Sequence, residues 1–142
     1  ALCTIDPEYS LDWVGSGELK DKIEEEIRRC GMEDKIKILG VRKDVPELLG
    51  QASVFLFPSI FEGLGIALIE AQAAGLSCVV SDRVPHEVDV GKCRFLPIDI
   101  SPERWAEEII TLRDDKSEID QEKLNRFDSK YMVKQIEKIY GC

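Results

Sequence analysis

The 142-residue sequence has few of the features that mark metal sites, disulfide frameworks and membrane spans. It contains one histidine, and its five cysteines include no pair spaced as C-x-x-C. We therefore expect neither a structural zinc site nor a secreted disulfide framework. No apolar run is long enough to cross a membrane, and no segment has the composition of a signal peptide. These absences predict a cytoplasmic protein without a bound metal ion.

Basic residues are also scarce: 19 of them face 28 acidic residues, so the formal net charge is −9. Such a chain repels nucleic-acid phosphates and anionic lipids, so nucleic acid is not an expected partner. Hydrophobic residues make up 44% of the chain, which is enough for a sizeable core. The length is that of one ordinary domain. We predict a single domain over residues 1–142, cut from a longer chain.

Strand-like and helix-like segments alternate along the chain. The predicted strands are 9–14, 36–39, 53–57, 77–81 and 94–97. The predicted helices are 18–30, 44–51, 64–74, 102–113 and about 129–140. Strict alternation predicts an α/β fold, with a Rossmann-like parallel sheet and helices on both faces. Ligands of such sheets bind beyond the carboxyl ends of the strands. We therefore expect any ligand site to be built from the loops 15–17, 40–43 and 58–65.

Residues 57–75 (FPSIFEGLGIALIEAQAAG) carry the strongest indication of chemistry. A helix begins near Gly63–Gly65, where glycines permit close approach of a ligand and free N–H groups favour an anion such as a diphosphate. Glu62 lies in the preceding turn. Glu70 lies about two turns further on, in a helix expected to be largely buried, where an unpaired charge is costly. A solvated turn for Glu62 or a neighbouring partner for Glu70 explains these carboxylates equally well.

Residues 39–82 resemble the C-terminal, donor-binding domain of family 4 retaining glycosyltransferases, also called glycosyl transferases group 1. The family signature is E-x7-E within P-S-x-x-E-G-x-G-x-x-x-x-E-A-x-A-x-G. Every fixed position is met, by Pro58, Ser59, Glu62, Gly63, Gly65, Glu70, Ala71, Ala73 and Gly75. An upstream V-G-x-G-x-L pattern is met by Val14, Gly15, Gly17 and Leu19. The resemblance implies half of the two-domain GT-B fold.

The segment 81–105 is similar to the branch of this family that makes bacterial exopolysaccharides and capsules. Most members have G-G-x-x-E after the S-D pair, where this chain has residues 83–87, RVPHE. Glu87 is the candidate match for the family's glutamate. The missing glycine pair removes the basis for transferring backbone contacts from that loop.

The resemblance also implies roles for the residues of the signature. Glu62 would contact hydroxyls of the donated sugar near the reaction centre, as the catalytic residue. Glu70 would bind the ribose hydroxyls. The backbone N–H groups of the intervening turn would hold the sugar and the diphosphate; these belong to Gly63, Leu64, Gly65 and Ile66.

Further roles are implied for the loops near the start of the chain. Gly15 and Gly17 would lie close to the donor, and the backbone at Gly40 and Val41 would hold its base, uracil in most relatives. The resemblance implies a retaining transfer from a UDP-sugar to a glycan or lipid-linked glycan, with no metal ion and no cofactor. The whole enzyme would then be cytoplasmic, with peripheral contact at the inner face of the cell membrane.

Two expectations follow from parts of the family's enzymes that have no match in this chain. Family members neutralise the donor diphosphate with an arginine and a lysine, and take the acceptor on an N-terminal domain. We therefore expect no sugar transfer by this chain alone. We also expect self-association through the apolar face of the last helix, which includes Met132 and Ile136. A nucleotide-sugar epimerase of the same fold and a non-catalytic α/β binding module remain as alternatives.

Other residues that attract attention have simpler explanations. Trp105 and Cys78 are predicted core residues. His86 is more typical of a structural or solvated loop histidine than of a substrate contact. Arg42 and Lys43 either steer a diphosphate or form a charged turn beside Asp44.

Overall fold

The computed structural model describes residues 1–131 together with Lys134 and Glu137. Its helices are α1 (Leu2–Ile5), α2 (Lys20–Arg29), α3 (Val45–Gln51), α4 (Ile66–Ala73), α5 (Pro102–Leu112) and α6 (Gln121–Asn125). Its strands are β1 (Leu11–Val14), β2 (Ile36–Gly40), β3 (Val54–Phe57), β4 (Ser77–Ser81) and β5 (Cys93–Leu96). The chain divides into two compact units, one over residues 1–45 and one from Pro46 onward.

The first unit is built on a parallel pair of strands, β1 and β2, connected through α2. Leu11 lies opposite Ile36, but the register shifts by one residue after Trp13, so that Val14 lies opposite Gly40. Ile23 and Ile27 of α2 are half-buried and one turn apart, as their spacing predicts. The shift in register falls where both strands end and the two predicted glycine loops begin.

The second unit contains a three-stranded parallel sheet in the order β3–β4–β5. All five residues of β4 are buried, so both faces of this strand are covered. Helices α4 and α5 both pack against β3 and β4. Trp105 and Cys78 are buried, which confirms their prediction as core residues. Parallel strands alternating with helices confirm the predicted Rossmann-like α/β fold class.

Local sequence explains where several helices begin. Ser101 accepts a hydrogen bond from the backbone N–H of Arg104 at 3.5 Å, and Pro102 occupies the first position of α5. Helix α4 begins at Ile66, two residues later than predicted, because Gly65 adopts a left-handed conformation with φ 65° and ψ 51°.

Other differences from the predicted elements are short ones. Helices α1 and α6, and a 3₁₀ turn over His86–Val88, were not predicted. Most of the predicted last helix, including Met132 and Ile136, lies outside the described residues. None of the helices within the described part of the chain is long and apolar enough to span a lipid bilayer.

Candidate functional site

In the first unit, the two predicted glycine loops meet at the ends of β1 and β2. The backbone N–H of Gly15 donates a hydrogen bond to the carbonyl oxygen of Gly40, with 2.8 Å between the heavy atoms. Gly17 follows in the same loop as Gly15. Val41 follows Gly40 and is 78% exposed. The structure therefore brings Gly15 and Gly40 together and presents Val41 beside them.

In the charged turn that follows Val41, Arg42 and Asp44 form an ion pair with each other. Nε of Arg42 lies 2.8 Å from Oδ1 of Asp44, and a second contact joins the guanidinium to Oδ2. The hydrogen bonds and the attraction between opposite charges raise the pKa of Arg42 and lower the pKa of Asp44. Of the two interpretations left open by the sequence, the structure shows the charged turn for Arg42.

In the second unit, the loop after β3 places Glu62 at the carboxyl edge of the sheet. The hydroxyl of Ser59 lies 2.9 Å from Oε1 of Glu62 and 3.1 Å from the carbonyl oxygen of Phe61. A hydroxyl has one hydrogen, so the two acceptors share it. Glu62 is half-buried. It is therefore fixed within the loop rather than free in solvent, and Ser59 is a contact that the motif alone did not reveal.

The turn between Glu62 and α4 leaves backbone donors unused. Gly65 is the N-cap of α4, and its left-handed φ is a conformation that glycine adopts without steric cost. Within the described part of the chain, the N–H groups of Gly63, Leu64, Gly65 and Ile66 donate no backbone hydrogen bond. These donors and the positive end of the helix dipole favour an anion at the start of α4.

The expectation that α4 is largely buried is wrong, and Glu70 shows why. Leu68, Ala71 and Gln72 are buried, whereas Ile66 and Glu70 are exposed one turn apart on the other side. This eight-residue helix covers the sheet with one face only. The carboxylate of Glu70 makes no hydrogen bond or ion pair with any residue that the structure describes. The cost of a buried charge therefore does not explain Glu70, and its role as a donor ligand stays a prediction.

Gln72 is a structural residue of this region that the sequence analysis missed. Its amide nitrogen donates to the carbonyl oxygens of Val88 (2.9 Å) and Leu68 (3.3 Å), and its Oε1 accepts from the N–H of Val90 (2.9 Å). Gln72 is fully buried. These bonds tie α4 to the end of the 3₁₀ turn and to the segment that follows it. A single polar residue between Ala71 and Ala73 in the motif was the available signal.

The turn after β4 lies at the same sheet edge as Glu62. Val84 is buried, and its Cγ1 would be 3.9 Å from a Cβ atom placed on Gly65. The ring of His86 stacks on Phe95, with centroids 3.9 Å apart and planes inclined by 7°. This contact agrees with the structural interpretation of His86. Glu87, the candidate match for the family's glutamate, is exposed.

Several exposed apolar residues lie next to Glu62 in the sequence. The strongly exposed ones within the loop and the first turn of α4 are Ile60 (77%), Phe61 (87%), Leu64 (51%) and Ile66 (64%). Large apolar side chains that cluster on a surface mark interaction sites more often than isolated ones do. Among residues 1–131, Lys134 and Glu137, no group of three or more His, Cys, Asp or Glu side chains is arranged to hold a metal ion.

Comparison with known proteins places these features in a family. The family model described as "Glycosyl transferases group 1" matches residues 2–115. EpsF of Bacillus subtilis (strain 168) is 37% identical over 103 residues, which are 71% of this chain and 27% of EpsF. The UDP-Gal:alpha-D-GlcNAc-diphosphoundecaprenol alpha-1,3-galactosyltransferase of Escherichia coli is 37% identical over 70 residues, which are 49% of this chain and 18% of that enzyme.

A solved structure has the same fold. HepE of Anabaena, crystallised in complex with UDP-glucose, superposes with a TM-score of 0.75 over 95% of this chain and 41% of HepE, at 24% sequence identity. The chain spans about a quarter of the length of EpsF. With a family model that matches most of its length, the chain belongs to the glycosyl transferases group 1 family.

Proposed function

We propose that this chain is the donor-binding part of a retaining glycosyltransferase, which moves a sugar from a UDP-sugar to a glycan or lipid-linked glycan in surface polysaccharide synthesis. The observation that carries the proposal is the arrangement of the loop 58–65. A carboxylate fixed by Ser59 stands directly before a turn at the start of α4 whose N–H groups donate no backbone hydrogen bond to any described residue. Carboxylates accept hydrogen bonds from sugar hydroxyls, and N–H groups at a helix start bind phosphate.

The loop would bind two different parts of the donor, the diphosphate and the sugar. Residues 57–75 contain no lysine, arginine or histidine, so this segment offers a diphosphate no cationic side chain, and the backbone N–H groups at the start of α4 would bind it. Glu62 precedes those groups and would receive the sugar. Stabilising charge on the departing diphosphate is a major part of such catalysis, and fixed N–H donors would contribute part of it without reorganisation.

Glu70 fits the ribose for a geometric reason. It shares the exposed side of α4 with Ile66 and lies four residues further along. Four residues correspond to about 6 Å along a helix axis, so a donor whose diphosphate sits at the helix start would carry its ribose near Glu70. Because none of the described residues pairs with this carboxylate, it is available to hydroxyl groups.

The remaining parts of the proposal rest on the resemblance. The backbone at Gly40 and Val41 would hold the base, and Gly15 and Gly17 would lie close to the donor. The transfer would need neither a metal ion nor a cofactor. The acceptor would be taken by an N-terminal domain, and the reaction would occur in the cytoplasm, with peripheral contact at the inner face of the membrane.

The proposal is tested by comparing two ligands that differ only in the sugar. Isothermal titration calorimetry of UDP-glucose and of UDP is carried out on the chain and on Glu62→Gln. We expect Glu62→Gln to weaken UDP-glucose by about tenfold, because a charged acceptor becomes neutral, and to leave UDP unchanged. Glu122→Gln, an exposed change in α6, serves as the control. Equal affinities of the chain and Glu62→Gln for UDP-glucose would contradict the role given to Glu62.

A further inference from the structure

The hydroxyl of Ser59 joins the motif's first serine to its first glutamate. The donor–acceptor distances are 2.9 Å to Oε1 of Glu62 and 3.1 Å to the carbonyl oxygen of Phe61. The bond to the carboxylate is the shorter one, and bonds to charged acceptors are the stronger class. We propose that Ser59 is a positioning residue, which orients the carboxylate of Glu62 toward the donated sugar. This inference rests on the proposed function of Glu62.

The contact restrains a side chain that is otherwise free to rotate. A glutamate has three side-chain torsions, and ordering such a side chain costs conformational entropy. Within the described residues, no other hydrogen bond or ion pair holds the carboxylate of Glu62. Ser59 therefore supplies the only polar restraint described for this group, and it does so before any ligand arrives.

The contact also gives the two carboxylate oxygens of Glu62 different surroundings. Ser59 engages Oε1, and no described residue donates to Oε2 of Glu62. A carboxylate accepts on both oxygens, so Oε2 remains available to a sugar hydroxyl while Oε1 keeps its orientation. The loop thus presents one oxygen of Glu62 in a set direction.

A purely structural role for Ser59 gives a different expectation. The same hydroxyl closes the turn by bonding to the carbonyl oxygen of Phe61. If that were its whole contribution, Ser59→Ala would destabilise the loop and weaken every ligand of the loop alike. A positioning role predicts a loss confined to ligands that carry the sugar, and a loss that depends on Glu62.

The experiment measures the dissociation constants of UDP-glucose and UDP for Ser59→Ala and Ser59→Thr, with urea unfolding as the measure of stability. We expect Ser59→Ala to weaken UDP-glucose by about 3- to 10-fold with UDP unchanged, which is the usual net effect of one hydrogen bond. Ser59→Thr keeps the hydroxyl and should bind like the unmodified chain. Ser101→Ala, which removes the N-cap hydroxyl of α5, controls for general loss of stability.

A double-mutant cycle decides between the two roles. In a Glu62→Ala background, adding Ser59→Ala should produce no further change in the affinity for UDP-glucose. Equal weakening of UDP and UDP-glucose, or additive effects in the cycle, would overturn the positioning role. If the binding of UDP-glucose depends on Glu62 but is unchanged by Ser59→Ala, this inference alone is overturned. Failure of the unmodified chain to bind UDP-glucose would overturn it together with the proposed function.

Discussion

The backbone N–H of Gly15 donates to the carbonyl oxygen of Gly40 across 2.8 Å, immediately beyond the register shift between β1 and β2. The bond fixes the loop after β1 to the last residue of β2. Gly40 then turns the chain with φ 67°, a left-handed value that side-chain-bearing residues rarely adopt. This short-range geometry holds Val41 at the surface of the first unit.

Replacing Gly40 should therefore destabilise the first unit through its backbone. A Cβ atom at Gly40 meets nothing within 4 Å, so the cost of Gly40→Ala comes from the left-handed conformation alone, about 1–2 kcal/mol. Gly17→Ala is the matched control, since Gly17 also has open space but no positive φ. Urea unfolding measures both. Equal midpoints for the two variants would contradict the backbone conformation described for Gly40.

Gln72→Leu should be among the most destabilising single changes in the second unit. Leucine leaves the carbonyl oxygen of Val88 and the N–H of Val90 without their partner inside the protein, which we expect to cost about 3 kcal/mol. Gln121→Leu removes an exposed glutamine of α6 and should cost far less. Urea unfolding and hydrogen exchange at the amide of Val90 report the effect. An unchanged exchange rate at Val90 would contradict the role given to the hydrogen bonds of Gln72.

Asp115 should make the second unit sensitive to acid. The hydroxyls of Ser117 and Ser77 donate to its carboxylate at 2.6 Å and 2.7 Å, and together with the nearby charge of Lys92 they lower its pKa to about 2. Because the folded pKa lies below the ordinary value of about 3.9, the stabilisation is complete above that value. It is lost as the pH falls from about 4 toward 2.

The acid effect is measured by urea unfolding between pH 7 and 2, in steps that span the ordinary carboxyl range. Asp115→Asn should flatten part of the loss between about pH 4 and pH 2, whereas Asp114→Asn, on an 84% exposed neighbour, should not. Carboxyl carbon chemical shifts in NMR give the pKa of Asp115 directly. A value near 4 for Asp115 would refute the prediction.

The sequence predicted the framework well because the framework follows local rules. The strand Ser77–Ser81 was predicted at its observed bounds from an apolar, β-branched run. The start of α5 followed from Ser101 and Pro102. The short α1 and α6 carry too few residues for a periodic signal, and they were missed.

The candidate site was only partly predictable, because its contacts depend on the folded chain. Motif positions identified Glu62 and Gly65, but the Ser59–Glu62 bond requires the loop's conformation. The partners of Gln72 lie 16 and 18 residues further along the sequence. The exposure of Glu70 reflects which face of α4 meets the sheet, and an almost uncharged helix gives little indication of that face.

We expect the 142-residue chain alone to transfer no sugar. The turn that would hold the diphosphate offers backbone N–H groups but no cationic side chain over residues 57–75. Cations at a departing diphosphate stabilise the charge that develops as the bond breaks. The assay follows release of UDP from UDP-glucose with and without a glycan acceptor. Turnover above the rate of hydrolysis in water would refute the expectation.

Binding of the donor nucleotide by this chain is tested by amide NMR during titration with UDP, GDP, ADP and inorganic phosphate. If the chain binds the donor as proposed, UDP should cause saturable shifts at residues 15–17, 40–41 and 62–70, and Glu70→Ala should weaken them. Inorganic phosphate should shift only the turn 63–66. No shift for any nucleotide at millimolar concentration, or shifts confined to residues away from these loops, would show that the chain does not bind the donor at this site.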